Sequence, residues 1–391
     1  MIISKPSSIK RNRSFKYRLK PTSAQEEQFR QFAGCARFVY NWGLARWNEL
    51  YQLGHKPTVF GLSNELVLLK KNENHCWLND CSGQVLQQAL ANLGTAFQRF
   101  FKKESQYPQF KKKGIKDSFR IPQYFEVLEK HLKLPKIGLV KYIKDRPIEG
   151  VPKSITISFR AGHWYASVLC EVDAINCYNE SGLSIGVDVG IAKLATTYNG
   201  FVARIYEHNP NLKPAYEKLK TLQRKMSRKI KGSRNRHKVR LKVTRQHKRI
   251  SDIRSDTLHK LSTYLCKNHA AIVMEDLKIT NMSKSAKGTL AQPGRCVAQK
   301  RGLNRSILQQ GWGELLSQIA YKSVWYGSML IIVDAKYTSQ TCPCCGFVAK
   351  HNRLTQSQFK CLDCEYGNNA DIVGAMNIRN KSLAFDFTRV G

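Results

Sequence analysis

The segment SIGVDVG, residues 184–190, decides how the rest of the sequence is interpreted. Its apolar residues Ile185, Val187 and Val189 alternate with other residues, which predicts a buried β-strand. Asp188 lies inside that strand. Because an isolated buried carboxylate is costly, it must be neutral, paired or bound to a metal ion. A turn cap at the end of the strand is the simpler alternative, and the remaining sequence has to decide between the two.

The chain carries a strong positive charge. Among its 391 residues, 65 Lys and Arg stand against 28 Asp and Glu, which gives a formal charge of +37. Such an excess repels itself in a compact protein unless a polyanion neutralises it, so nucleic acid is the expected partner. A basic membrane-binding protein is the alternative, but no run of about 18 apolar residues predicts a membrane span. The N-terminal stretch also lacks the apolar core of a secretory signal.

The first 178 residues predict a β-rich region with helices inserted into it. Residues 13–21 are expected to form a strand, after which Thr22 or Ser23 can cap a helix whose capping box Glu26 could close. A second helix is expected over residues 83–101. Apolar residues recur at helical spacing along the first helix: Phe29, Phe32, Ala36, Val39 and Tyr40.

Beyond residue 101 the pattern changes to short strands and turns, which predicts a small β-barrel or a curled sheet extending to about residue 170. The first strand could belong to the same sheet, so the helices would be an insertion in it. Lysines alternate with aromatic residues over residues 102–121, where Lys111 and Lys112 are candidate contacts to nucleic acid. A linker over residues 173–182 precedes the strand with Asp188.

Asn199-Gly200 between two β-type runs predicts a hairpin, so Asp188 should lie on the first of three sequential strands. Residues 213–261 predict two basic helices folded as a hairpin and broken at Gly232-Ser233. Few acidic residues are available there to pair with the basic ones, which favours a nucleic-acid-binding surface over a solvated helix face. The candidate contacts in this hairpin are Arg224, Arg228, Lys229, Lys231, Arg234 and Arg236.

The region after this hairpin predicts a buried strand from Ala271 that ends at Glu275. Residues 283–303 are rich in Gly, Ser and Lys and are expected to be mobile. A single helix is predicted over residues 304–327, stopped by Gly327, and a strand is predicted to end near Asp334.

Two CxxC pairs stand close together near the C-terminal end of the sequence. Twelve cysteines in a chain without an export signal are expected to be reduced thiols or metal ligands. Two CxxC knuckles form a tetrahedral zinc site with four closed positions, so the zinc ion should be structural. A redox role fits less well, because redox CxxC proteins rarely need two pairs. The expected ligands are Cys342, Cys345, Cys361 and Cys364, with Cys344 left over.

Three acidic residues now stand at the ends of buried elements. Asp188 lies on a first strand, Glu275 ends a later strand, and Asp371 begins the last helix. A three-strand meander followed by a later strand and a final helix is the order expected of an RNase H-like α/β sheet, in which three such carboxylates converge. Their repulsion requires divalent cations. Two Mg²⁺ ions about 4 Å apart can activate a water and stabilise the leaving oxygen in phosphodiester cleavage.

At this point the sequence resembles the TnpB family of bacterial insertion sequences, relatives of the type V CRISPR effector nucleases. The resemblance covers nearly the whole chain. The matching motifs are GCARFVYNWGLA, LQQAL, YPQFKKK, LPKIGLVK, GVDVGIAKLA, SRKIKGSRNR, LNRSIL with GWGELL, YTSQTCPCCG and NADIVGAMNI.

The resemblance implies an RNA-guided DNA endonuclease that is associated with a transposable element and leaves 5′-phosphate and 3′-hydroxyl ends. It implies a guide RNA and a double-stranded DNA target as partners. It also implies an RNase H-like nuclease domain of RuvC type with an inserted zinc ribbon, behind a wedge-like β-barrel that holds a helical recognition insertion. The RuvC acids map onto Asp188, Glu275 and Asp371, and Ser63 and Gln87 map by position onto residues that read a short motif next to the target.

The implied boundaries follow the pattern changes described above. They are a wedge-like barrel at residues 1–30 and 102–178, a recognition insertion at 31–101, a nuclease domain at 179–335 and 366–391, and a ribbon at 336–365. The protein is expected in the bacterial cytoplasm near the nucleoid, as a monomer or a dimer. The sequence gives neither the guide nor the flanking motif.

The chain departs from the family at two places. Glu365 replaces a glycine that commonly follows the last ribbon cysteine, and Val373-Gly374 replaces a pair that begins with Asn. If that Asn orients metal or substrate, activity would be lower. Two other functions stay open: a strand-transfer transposase, for which we identify no helix-turn-helix that could recognise element ends, and a non-catalytic repressor, against which the intact acidic triad counts.

Overall fold

The computed structural model describes residues 9–114, 116–174, 179 and 181–383. The chain divides into two compact units, one covering residues 8–174 and one beginning at residue 175. None of the helices in the described part of the chain is both long and apolar enough to cross a membrane. Residues 1–8 and 384–391, at the two ends of the predicted domains, lie outside the described residues. The same holds for residues 175–178 and 180 of the linker predicted over residues 173–182.

The first unit is a β-sheet whose first strand is followed by three α-helices. The bounds are β1 Ile9–Lys20, α1 Ser23–Gln52, α2 Val59–Lys71, α3 Gly83–Phe101, β2 Ser118–Ile121, β3 Glu126–Val127, β4 His131–Leu134, β5 Gly138–Ile143, β6 Val151–Arg160 and β7 His163–Ala174. A 3-10 helix, Glu73–Asp80, joins α2 to α3. The predictions of α1 and α3 are confirmed, whereas α2 was not predicted.

The sheet of the first unit has the order β2-β6-β7-β1-β5-β4-β3 and is antiparallel throughout. Its two edge strands are not hydrogen-bonded to each other, so it is an open half-barrel. The prediction of a small β-barrel or curled sheet is confirmed in part, as a half-barrel, because edge strands of four and two residues offer little backbone for closure. Helix α1 packs on it through Phe29, whose ring centroid lies 5.0 Å from that of Trp164.

A capping box starts α1, but its members differ from the predicted ones. The Thr22 hydroxyl accepts a hydrogen bond from the Gln25 backbone N–H, and the Gln25 side chain accepts one from the Thr22 N–H. Glu26 instead pairs with Arg30 one turn later. The box is therefore closed by Gln25, since Thr22 rather than Ser23 is the N-cap and the partner must be the third helical residue.

The described residues of the second unit form a mixed sheet, six α-helices and a small ribbon. The bounds are β8 Ser184–Asp188, β9 Ala195–Tyr198, β10 Ala203–Tyr206, α4 Leu212–Ser227, α5 Arg234–Asn268, β11 Ala271–Glu275, α6 Ile279–Met282, α7 Val297–Gln310, α8 Trp312–Tyr326, β12 Met329–Val333, β13 Gln358–Lys360, β14 Gly367–Asn369 and α9 Ala370–Leu383. The predicted hairpin at Asn199-Gly200 connects β9 to β10.

The larger sheet of this unit has the order β10-β9-β8-β11-β12. Strands β8, β9 and β10 form the predicted antiparallel meander, and β11 pairs parallel with both β8 and β12. Helix α9 lies so close to β8 that a Cβ atom added to Gly186 would come within 2.1 Å of the Ala375 carbonyl oxygen. Glycine at position 186 is thus what allows the helix to lie on the sheet.

The basic helical hairpin is present as α4 and α5. Its apolar contact includes Leu219 and Val243, both buried. Ile230 is exposed because α4 ends at Ser227, before that residue. The prediction of a single helix over residues 304–327 is wrong, because Gly311, with a φ of 76°, ends α7 before α8 begins. Helix α7 begins at Val297, so the end of the segment expected to be mobile is helical, and the mobility of the rest stays a prediction.

The ribbon, residues 336–365, connects β12 to β14 and α9 and contains two similar turns. Each CxxC pair is followed by a residue with positive φ: Gly346 at 78° after the first pair and Glu365 at 60° after the second. This backbone conformation favours glycine, because in other residues the Cβ atom approaches the following carbonyl oxygen. Glu365, where the family commonly has glycine, therefore adopts a turn like that at Gly346, but with a strained backbone.

Replacing Gly186 with Ala is expected to destabilise the second unit by about 2 kcal/mol or more, because the added methyl group overlaps a backbone carbonyl of α9 that cannot move freely. Denaturant unfolding of the two proteins measures the difference. Gly302→Ala is the control, since no atom of another element lies within 4 Å of that added Cβ. Equal stability of Gly186→Ala and the wild type would show that α9 is not held at this distance.

Glu365→Gly is expected to stabilise the ribbon by about 1 kcal/mol, because glycine adopts the left-handed conformation without strain. The reverse change in the equivalent turn, Gly346→Glu, should destabilise it by a similar amount, since no atom lies near that position and only the backbone is affected. Thermal unfolding of the zinc-loaded proteins compares the two. If both variants melt with the wild type, the turns are not strained.

Candidate functional site

Asp188 and Glu275 lie side by side at the carboxyl ends of two parallel strands. Val187 of β8 pairs with Met274 of β11, so the acid that follows in each strand lies at the same edge of the sheet. Residues 185–187 of β8 and 271–274 of β11 are buried and carry no polar side chain, and both acids are only partly buried. Each of the two strands therefore places one carboxylate at the same edge of the sheet.

Asp371 reaches the same place from the first turn of α9. The Asn369 side-chain oxygen accepts hydrogen bonds from the backbone N–H groups of Asp371 and Ile372, at 2.9 and 3.4 Å, which fixes the start of the helix. One turn on, Gly374 lies directly against Asp188: an added Cβ would be 2.7 Å from Asp188 Oδ2. The structure thus brings together all three acids that the sequence singled out.

The electrostatics of these acids show how close they are. Burial, followed by the charges of Glu275 and Asp371, raises the pKa of Asp188 to about 7, against the opposing effect of Arg353. Burial also raises the pKa of Glu275, which a hydrogen bond from Thr338 partly offsets. Two like charges therefore disfavour ionisation of Asp188 beyond what burial does, as expected of a site that binds cations.

Two residues at this site were not predicted from the sequence. Arg353, in the ribbon, places Nη2 3.8 Å from Asp371 Oδ1. Thr338, between β12 and the first CxxC pair, donates a hydrogen bond of 2.6 Å from its hydroxyl to Glu275 Oε1. Neither residue lies in a periodic pattern, and only the proximity of Thr338 to the first CxxC pair could have drawn attention to it.

The four predicted cysteines form a tight cluster. The Sγ atoms of Cys342, Cys345, Cys361 and Cys364 all lie within 4.8 Å of one another. Within the described part of the chain, this is the only group of three or more Cys, His, Asp or Glu residues arranged closely enough to hold a metal ion in this way. Cys344 is exposed and is not in the cluster, as predicted.

A small apolar core supports the cluster and joins it to α9. Buried Cys342, Cys361 and Phe359 pack with Ala370 and Val373 of that helix. Val373, which stands where the family has Asn, is completely buried in this core. The ribbon and the helix that carries Asp371 therefore share one hydrophobic core.

Within the first unit, the predicted contact residues lie in different settings. The Ser63 hydroxyl donates to the Val59 carbonyl oxygen at 2.8 Å, and Gln87 is exposed on α3. Lys111 Nζ lies 3.7 Å from the centroid of the Tyr40 ring and borders a cavity of about 290 Å³. Its neighbour Lys112 is exposed.

In the hairpin of the second unit, five predicted contact residues are exposed: Arg224, Arg228, Lys229, Lys231 and Arg234. Arg236 differs, because its Nη1 atom donates to the carbonyl oxygens of Met226 and Lys229, at 2.8 and 2.9 Å. Arg236 therefore holds the turn between the two helices, and the other five leave their charges available at the surface.

Three family models match the chain. OrfB_IS605, described as "Probable transposase", matches residues 167–286; Cas12f1-like_TNB, "Cas12f1-like, TNB domain", matches 312–378; and HTH_OrfB_IS605, "Helix-turn-helix domain", matches 11–56. Over residues 11–56 the structure contains strand β1 and the single helix α1, so no turn between two helices is present in that described segment. The second match contains all four clustered cysteines and Asp371.

Two relatives match almost the full length of the chain. "Putative RNA-guided DNA endonuclease InsQ" of Escherichia coli (strain K12) is 45% identical over 373 residues, which cover 95% of this chain and 92% of that protein. "Putative RNA-guided DNA endonuclease" of Streptomyces pristinaespiralis is 35% identical over 380 residues, covering 95% and 90%.

Among solved structures, the chain resembles the Cas12f1 protein in "Cryo-EM structure of the Cas12f1-sgRNA-target DNA complex". The TM-score is 0.58 at 13% identity, over 95% of this chain and 99% of that one, so the likeness is one of fold. The InsQ protein, in contrast, is 45% identical to this chain over nearly the whole length of both, which shows membership of one family. The chain belongs to the transposon-associated OrfB_IS605, or TnpB, family.

Proposed function

We propose that this chain is an RNA-guided DNA endonuclease of the IS605 TnpB type. The observation that carries the proposal is the convergence of Asp188, Glu275 and Asp371 at the ends of two parallel strands and the start of the helix packed on them. The full-length relatives, which bear that description, support the guided activity. The charge of +37 supports partners made of nucleic acid, namely a guide RNA and a double-stranded DNA target.

The domain assignment is part of the proposal. The strand order β10-β9-β8-β11-β12, with helix α9 against β8, supports an RNase H-like nuclease domain of RuvC type at residues 179–335 and 366–391, interrupted by the zinc ribbon at 336–365. The half-barrel supports a wedge-like domain at residues 1–30 and 102–178. The helices between its first two strands support a recognition insertion at residues 31–101, and the first of them, α1, begins at Ser23.

The three carboxylates fit Mg²⁺. Their oxygen atoms are the ligands that Mg²⁺ prefers, and a site that raises the pKa of Asp188 to about 7 gains stability from added positive charge. Two ions would share the three carboxylates. Bound Mg²⁺ would supply activation of a water molecule and stabilisation of the leaving oxygen, so that cleavage leaves 5′-phosphate and 3′-hydroxyl ends.

The other residues of the site orient and balance these acids. Gly374 gives Asp188 room against the backbone of α9, and Arg353 reduces the negative charge around Asp371. Val373 is buried in the core of the ribbon, so its side chain does not reach the acids, and an Asn there would have to leave that core to do so. This departure from the family therefore leaves the three carboxylates in place.

Recognition of nucleic acid is assigned to the basic surfaces. The exposed residues of the hairpin, Arg224, Arg228, Lys229, Lys231 and Arg234, would hold the phosphate backbone. In the first unit, Lys111 and Lys112 would do the same, and the amide of Gln87 with the half-buried Ser63 would read the flanking motif. Base pairing with the guide RNA would then supply most of the sequence specificity.

The four cysteines are proposed to hold one structural zinc ion. Their thiol groups are the soft ligands that zinc prefers, four of them leave no position open for a substrate, and the cluster lies in the core shared with α9. Zinc would thereby hold the helix that carries Asp371 and would take no part in the cleavage itself.

The proposal is tested first by the RNA bound to the protein. After purification from cells that carry its own locus and a high-salt wash, the bound RNA is sequenced. We expect one species with a constant folded part and a defined variable end. That end names the DNA target, which the complex should cut in the presence of Mg²⁺. Joined DNA ends without RNA would instead support a transposase, and target binding by the wild-type protein without cutting would support a repressor.

Asp188→Ala is expected to lower the cleavage rate by more than about 100-fold while RNA and DNA binding persist, because changes that only touch a metal ligand already cost 10- to 100-fold. Target cleavage and gel-shift binding measure the two properties. Asp276→Ala is the matched control, since that acid follows Glu275 but pairs with Lys278 at the surface. Cleavage by Asp188→Ala at the wild-type rate would disprove the site.

Asp188→Asn is expected to stabilise the magnesium-free, zinc-loaded protein at about pH 8, by about 2 kcal/mol after allowance for the partial solvent access of Asp188. The folded-state pKa is raised to about 7, so the cost of the charge is fully present above that pH. It falls as the pH decreases towards the unfolded value near 3.8, and the difference between the proteins should shrink with it. Thermal unfolding at several pH values measures this. A difference independent of pH would contradict it.

Cys361→Ser is expected to abolish binding of the zinc ion and to lower the melting temperature or the solubility, because zinc ligation is coupled to folding. Elemental analysis and thermal unfolding measure both effects. Cys344→Ser is the matched control, since that cysteine is exposed and lies outside the cluster. A stable and fully active Cys361→Ser protein would exclude a structural zinc site.

A further inference from the structure

The segment between β12 and the first ribbon cysteine, residues 334–341, is held by two side chains of α9; we call it the root segment. Asn377 Nδ2 donates to the carbonyl oxygens of Thr338 and Thr341, at 2.8 and 2.7 Å. Lys381 Nζ donates to those of Asp334 and Lys336, at 2.7 and 2.6 Å. Four hydrogen bonds to one short stretch of backbone fix its path relative to α9.

The root segment presents one side chain to the carboxylate site. Thr338 is 5% exposed, and its Oγ1 lies 2.6 Å from Glu275 Oε1 and 3.0 Å from the Ala335 carbonyl oxygen. A hydroxyl group has one proton to donate, and a carboxylate oxygen is the stronger acceptor. The shorter distance agrees with donation to Glu275. One oxygen of that carboxylate is therefore occupied, and its second oxygen is left for another partner.

We propose that Thr338 is a positioning residue: its hydroxyl group fixes the rotation of the Glu275 carboxylate so that the free oxygen faces the cation site. The proposal rests on the proposed function only in that Glu275 binds a divalent cation. A carboxylate at the end of a strand can rotate, and a hydrogen bond to one oxygen removes that freedom before the cation arrives. Partners of this kind around metal ligands commonly change metal affinity by 10- to 100-fold.

The construction of the root segment supports a dedicated role for Thr338. Its neighbour Tyr337 has a φ of 64°, a conformation that a bulky residue adopts only when the surroundings impose it. The bonds from Asn377 and Lys381 supply that constraint. A second threonine in the segment, Thr341, donates its hydroxyl to the Tyr337 carbonyl oxygen at 2.8 Å instead. Thr338 thus contacts Glu275, whereas Thr341 bonds only to the backbone of the segment.

The test uses Thr338→Val, which keeps the shape of the side chain and removes the donor, and Thr338→Ser, which keeps the donor. Thr341→Val is the matched control in the same segment. Thr338→Ala is compared with Thr338→Ser as a second pair, so that the effect of the hydroxyl can be measured even if the Val variant fails to fold. Zinc content and thermal unfolding identify the variants that retain the wild-type fold.

The first readout is binding of Mn²⁺ to the zinc-loaded protein, followed by the electron paramagnetic resonance signal of free Mn²⁺, with Asp188→Ala as the background. We expect Thr338→Val and Thr338→Ala to bind the ion about 10-fold more weakly than wild type. Thr338→Ser should lie within about 2-fold, and Thr341→Val should be unchanged. The second readout is the Mg²⁺ concentration for half-maximal target cleavage, which should rise by the same factor.

Wild-type Mn²⁺ affinity in a folded Thr338→Val or Thr338→Ala protein would overturn the proposal. So would an equal loss in Thr341→Val, because the effect would then belong to the segment as a whole. The Mn²⁺ titration does not depend on cleavage. If the wild type fails to cut any guided target and the affinities still differ as expected, the proposed function fails while the role of Thr338 stands.

Discussion

The contact of helix α9 with strand β8 at backbone distance is the constraint on which the rest of the second unit depends. It requires Gly186, because any side chain there would meet the Ala375 carbonyl oxygen. One residue earlier, Gly374 lies against Asp188, so the same contact that packs the helix also sets the distance between two of the acids. Side chains further along α9 then hold the root segment. The contact between α9 and β8 therefore determines both the packing of the helix and the geometry of the acidic site.

The ribbon is part of this site as well as a neighbour of it. It shares a hydrophobic core with α9, it brings Arg353 to Asp371, and the root segment at its start brings Thr338 to Glu275. Two of the three acids are thus contacted from the ribbon side. Burial, followed by the charges of the other two acids, raises the pKa of Asp188 to about 7, so its ionisation carries a cost that the proposed cations would relieve. The ionised Asp188 therefore lowers the stability of the folded protein at the proposed cation site.

Much of the second unit could be predicted from local patterns, because alternation marks the strand with Asp188 and fixed spacing marks the four cysteines. What the sequence did not reveal depends on three-dimensional placement. Helix α2 has exposed apolar residues such as Phe60, which blur its periodicity. The contact between Thr338 and Glu275 joins residues 63 positions apart, and nothing local distinguishes this threonine from Thr341. The strain at Glu365 was signalled only by the departure from the family.

The order of the three acids along the chain has a consequence for synthesis on the ribosome. Asp188 is made early in the second unit, whereas Asp371 follows the ribbon and begins the last helix described. The basic hairpin of α4 and α5, complete by residue 268, emerges well before that helix. Because domains fold from the N-terminus as they emerge, a nascent chain gains its basic surface before its third carboxylate. RNA can then associate during translation, whereas the proposed carboxylate site is complete only after the ribbon has been made.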